Sequence, residues 1–126
     1  MQFRYAILYV ADVRATLAFY EAAFGLDTGF LHDSGDYGEL ATGATKLAFS
    51  SHSLMTSLGK DVATEPPARP AFEIALETAD VAEAFARAIR AGAAPVDAPH
   101  GVPWGQTIAY VRAPEGTLIE ICSPVG

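Results

Sequence analysis

The chain has 126 residues, the length of one ordinary domain, and its 51% apolar and 18% charged composition excludes a largely disordered protein. Fifteen acidic and eight basic residues leave a net charge of −7, and Lys and Arg form no run, which excludes a nucleic-acid footprint and disfavours anionic membrane surfaces. A single cysteine, Cys122, excludes an intramolecular disulfide and a Cys-based metal knuckle; it reads as a small apolar filler at a strand end.

The opening run MQFRYAILYVAD has neither the basic region nor the cleavage site of a secretory signal. No stretch approaches the ~18 apolar residues of a membrane span, so a cytoplasmic protein is expected. Residues 3–10 are rich in aromatic and β-branched types and predict a buried strand. Asp12 is placed to cap a helix whose apolar stripe is Val13, Leu17, Tyr20 and Phe24, and Gly25 is its natural stop. Strands are predicted at 28–32, 37–42 and 45–50, separated by Asp33-Ser34-Gly35-Asp36 and by Gly43-Ala44.

Residues 53–70 form a linker rich in Ser, Thr, Gly and Pro, with a helical turn expected around Ser53 to Leu58. The pattern then restarts. A strand at 71–78 precedes a helix capped by Asp80, with Glu83 spaced for a capping box and Val81, Phe85 and Ile89 as its stripe. Gly92 ends that helix, and strands are predicted at 94–97, 105–112 and 117–122, the last two joined by a turn at Pro114-Glu115-Gly116. The chain therefore reads as two tandem βαβββ modules, about 1–52 and 71–126, within a single α+β domain. Ala11-Asp12-Val13 repeats as Ala79-Asp80-Val81, offset by 68 positions, and Thr45 to Phe49 is laid on Thr117 to Ile121, offset by 72.

The run YAILYVADVRATLAFYEAAFGL, with its Asp cap, Phe19-Tyr20 pair and Phe24-Gly25-Leu26, resembles the opening of the vicinal oxygen chelate superfamily. Glyoxalases, extradiol dioxygenases and bleomycin-resistance proteins belong to that group. The second half is similar too: APEGTLIEI resembles the family's penultimate turn and last strand. The resemblance covers nearly the whole chain. It implies a half-open, cup-like mixed sheet with helices outside, a small-molecule ligand inside the cup, and a homodimer.

The resemblance also implies four metal-ligand positions, usually His and Glu. Here they are Tyr5, Ala48, Glu73 and Glu120, and only Glu120 keeps the family's identity. Two carboxylates and a phenol make a hard, oxygen-only set, so the expected cofactor is none, or a weakly bound divalent ion held by Glu73 and Glu120. The three histidines, His32, His52 and His100, fall in or next to predicted loops and read as solvated residues, with His100 the best placed to fold over the cup.

Side chains alternate along a strand, so Glu73 and Glu120 should face the cup while Ile74, Leu76, Ile119 and Ile121 face the helices. Two acids in a semi-apolar cup should repel, raising at least one pKa; they are the candidate catalytic pair. Tyr5, Ile7 and Tyr9 on the first strand, and Lys46, Ala48 and Ser50 on the fourth, are the candidate ligand-binding residues. Trp104 joins them either as a stacking platform or as a core or interface anchor. Two functions remain open: a ligand-binding protein without the His-based metal site, and a divalent-metal-dependent lyase, isomerase or dioxygenase using Glu73 and Glu120.

Overall fold

Strand and helix follow one another largely as the patterning predicts, and the computed structural model describes all 126 residues. The first four strands are β1 (Tyr5–Val10), β2 (Thr28–Leu31), β3 (Tyr37–Leu40) and β4 (Lys46–Ser51), with α1 (Val13–Phe24) after β1 and α2 (His52–Ser57) after β4. The rest are β5 (Ile74–Glu77), α3 (Val81–Arg90), β6 (Ala94–Gly101), β7 (Thr107–Arg112) and β8 (Leu118–Cys122). These elements form two open four-stranded mixed sheets with helices, the α+β architecture of paired βαβββ modules. The chain divides into two compact units, Met1–Glu21 with Gly25–Glu65, and Ala22–Phe24 with Pro66–Gly126.

In the N-terminal unit the strand order is β1-β4-β3-β2, with β1 and β4 parallel and the other pairs antiparallel. The Asp12 side chain accepts from the Ala15 N–H at 3.0 Å and so starts α1. Gly25 ends it at φ 68°, a left-handed conformation that favours glycine. The helix packs on one face of the sheet. Tyr20 meets Phe49 with ring centroids 5.1 Å apart, and both are fully buried. Gly38, in register with Phe49, lets α1 come close: a Cβ there would lie 2.7 Å from Leu17 Cδ1 and 3.2 Å from Val13 Cγ1.

In the C-terminal unit the order is β5-β8-β7-β6, again with one parallel pair, β5 and β8. The two registers correspond. Ala6 pairs with Leu47 as Ile74 pairs with Ile119, the same two offsets of 68 and 72 seen in the sequence. Asp80 caps α3 by accepting from the Glu83 N–H at 3.1 Å. The expected capping box does not close: Glu83 turns to Arg90 at 2.9 Å, and the Asp80 N–H donates to Thr78 Oγ1 at 3.3 Å. β6 runs on to Gly101, beyond the predicted 97, although it carries Pro95 and Pro99. It lies at the sheet edge and is twice bulged, where a strand tolerates the missing N–H of proline.

Arg112 ties the end of the linker to this unit. Its guanidinium donates to the carbonyls of Gly116 at 2.8 Å, Ala68 at 3.2 Å and Pro67 at 2.6 Å. Pro66 then passes so close to the β7–β8 turn that a Cβ on Gly116 would meet it at 2.2 Å.

Candidate functional site

Helix packing on one face leaves each sheet a second face, and the candidate residues are sorted by it. In the C-terminal unit Ile119 and Ile121 are buried while Glu120, between them, is half-buried and points the other way. Glu120 is in register with Ala75 on β5 and Tyr110 on β7. Glu73 lies one residue before β5 begins and is exposed.

Tyr110 joins the two acids. Its hydroxyl lies 2.8 Å from Glu120 Oε2 and 3.2 and 3.4 Å from the oxygens of Glu73. A phenol has one hydrogen to donate, so a second proton is needed to bond all three groups at once. Accordingly, the carboxyl of Glu73 is pushed above the ordinary range, by its hydrogen bond to Glu120, by burial and by the nearby Glu120 charge, with Tyr110 pulling the other way. Burial, the bond to Glu120 and the two carboxylates all hold the Tyr110 phenol in its protonated form. The thiol of Cys122 is raised by burial and by the charges of Glu120 and Glu77, so it is no activated nucleophile.

This arrangement can accept hydrogen bonds, hold a cation, or pass a proton between carboxyls. A resident metal fits it poorly. Nowhere in the chain do three or more His, Cys, Asp or Glu side chains gather as a ligand set. To bind a metal as phenolate, Tyr110 would have to lose the proton its surroundings hold in place.

The N-terminal unit has no such pair. Ala48, at the position equivalent to Glu120, is fully buried, and Ser50 is 3% exposed, so both lie under the surface offered as ligand contacts from sequence. Lys46 is half-buried and makes no ion pair with an acid. The exposed members are Tyr5, Ile7 and Tyr9, at 50%, 44% and 42%. On β3, Glu39 is in register with Ala48 and accepts a hydrogen bond from the Tyr37 hydroxyl at 2.7 Å.

Trp104 is 64% exposed, which removes the core-anchor reading within the chain; its indole N–H donates to Gln106 at 2.7 Å. His52 opens α2, beside the helical turn expected at Ser53 to Leu58, while His100, beyond the strand expected at 94–97, lies on β6. His100 contacts Asp97 at 2.7 Å, and this bond, with one to the Gly101 carbonyl, raises its pKa.

Tyr110, Tyr37 and Glu39 were not singled out from sequence, yet the signal existed. The short turns at 43–44 and 114–116 set the hairpin registers, which place Tyr110 opposite Glu120 and Glu39 opposite Ala48.

The family model described as Glyoxalase/Bleomycin resistance protein/Dioxygenase superfamily matches residues 2–121. The fold is similar to that of a glyoxalase-related enzyme from Fulvimarina pelagi, with TM-score 0.84, 23% identity, and coverage of 100% of this chain and 93% of that one. A protein of unknown function from Agrobacterium tumefaciens str. C58 is similar at TM-score 0.80 and 25% identity, over 99% of this chain and 95% of that one. A glyoxalase/bleomycin resistance protein/dioxygenase family enzyme from Burkholderia phytofirmans PsJN gives 0.78 and 20%, over 98% of each chain. No curated protein matches the chain. No helix is long and apolar enough to cross a membrane.

Proposed function

Since the chain belongs to the glyoxalase/bleomycin resistance protein/dioxygenase superfamily, we propose that it binds a small organic ligand on the open face of its sheets without the His-based metal site of that group. The observation that carries this reading is the Glu73–Tyr110–Glu120 cluster. It supplies two carboxyls with no cationic partner and lacks the further ligand a tightly held metal needs. Its chemistry suits a cationic, aromatic ligand: a cation satisfies the carboxyl pair, the net charge of −7 draws it in, and exposed Trp104 offers a ring to stack on. The reading includes a homodimer, and a cytoplasmic location suits a chain whose one cysteine is buried and free.

Titration calorimetry with a panel of monocationic aromatic amines tests the reading. Glu120→Gln should weaken the ligand that binds by about tenfold, equivalent to ~1.4 kcal/mol. Unchanged affinity would overturn it.

The second reading, a divalent-metal-dependent lyase, isomerase or dioxygenase, is favoured by one observation: Glu73 and Glu120, which the resemblance relates to two of the family's ligand positions, stand within reach of a single phenol. It requires that Glu73→Gln with Glu120→Gln abolish metal affinity. The first reading requires that the pair of changes leave metal binding as weak as before.

A further inference from the structure

A cluster of aromatic and acidic side chains lies within the N-terminal unit, and the Glu73–Glu120 reading does not use it. Phe30 on β2 and Glu39 on β3 are register partners, so their side chains share a face. Tyr37 lies two residues from Glu39 on the same side of β3, and its ring centroid is 6.3 Å from that of Phe30, at 51°. Its hydroxyl donates to Glu39 Oε2 at 2.7 Å. At the far edge of the sheet, Tyr5 stands on the same face as Ala48 and Glu39, in register with Lys46 on β4. Ala48, on the strand between them, is fully buried.

Phe30 and Tyr5 are 48% and 50% exposed, and the side-chain partner of Glu39 is the Tyr37 hydroxyl, with no ion pair to it. Lys46 stands on the same face, in register with Tyr5, yet forms no ion pair with Glu39. A carboxylate that lacks a cation, bordered by aromatic rings that lack an apolar cover, calls for one ligand chemistry. An alkylated ammonium is both cationic and apolar, and ring faces attract it. We infer that Phe30, Tyr37, Glu39 and Tyr5 form a binding site for an alkylated ammonium group that does not use Glu73 or Glu120.

The probe is choline, followed by NMR through the ring protons of Phe30 and Tyr37, with its uncharged carbon isostere neohexyl alcohol as comparator. Saturable shifts with choline and at least about tenfold weaker binding of neohexyl alcohol are expected. Glu39→Gln, whose amide oxygen still accepts from Tyr37, should weaken choline about tenfold with an unchanged circular dichroism spectrum. Lys46→Met should tighten it, because a like charge leaves the face.

Equal affinity for the two probes overturns the inference, as does unchanged affinity in Glu39→Gln or weaker binding in Lys46→Met. The variant carrying both Glu73→Gln and Glu120→Gln should bind choline as the parent does. If it does not, the cation sits in the C-terminal unit: this inference fails and the carboxyl-pair reading stands.

Discussion

Glu73 carries its proton more readily in the folded chain than in the unfolded one, because it shares a hydrogen bond with Glu120 and is partly shielded from water. The sign of its pH effect follows. A raised folded pKa contributes stability that is fully present below the ordinary glutamate value of 4.5 and is lost as pH rises through the folded value. Glu73→Gln keeps the hydrogen-bonding shape and removes the titration. Relative to that variant, the parent should therefore lose denaturant resistance as pH rises from below 4.5 to neutrality, with the two converging in acid. Parallel denaturation midpoints across that range would show that Glu73 and Glu120 do not share a proton. Both acids were legible in the sequence, since strand alternation set each against the helix-facing isoleucines. Tyr110 is not reached by alternation within one strand; its place opposite Glu120 follows only when the 114–116 turn is used to set the cross-strand register. Ala48 and Ser50 differ from the sequence expectation in burial. Alternation gave their face correctly, but they lie on a central strand, where larger neighbours bury small side chains.

Elements were more legible than contacts. Both major helices start at the aspartates that the sequence marks, because an Asp side chain meets free backbone N–H groups within its own first turn. The capping box at Glu83 failed because a long side chain on an exposed helix has competing partners, and Arg90 won. That pair is 63% exposed on each side, where such ion pairs contribute little. Strand ends were over-read at 3–10 and 71–78, where the apolar pattern begins before ladder pairing does. The tightest contact between elements is one that periodicity cannot show: Gly38 under Leu17 and Val13. Gly38→Ala should destabilise the fold by about 1–3 kcal/mol, since its Cβ enters a packed helix–sheet seam. Urea denaturation measures the loss. A neutral or stabilising result would mean that α1 lifts off β3 without cost.

At the scale of the whole molecule, duplication is the main legible feature, and it shows how the two units diverged. The same registers present Ala48 with Glu39 in one unit and Glu120 with Tyr110 in the other. One face is thus aromatic with a single acid, and the other is acidic with a single phenol. Assembly was implied only by the family resemblance, because the composition of one chain says nothing of its copies. Light scattering should return twice the 13.3 kDa chain mass, and a monomer at working concentration would remove the homodimer.

The central claim is ligand binding without a resident metal, and metal analysis of protein purified without chelator tests it most directly. Well under one equivalent per chain is expected; a full, tightly held equivalent of iron, nickel or zinc would contradict ligand binding without a resident metal.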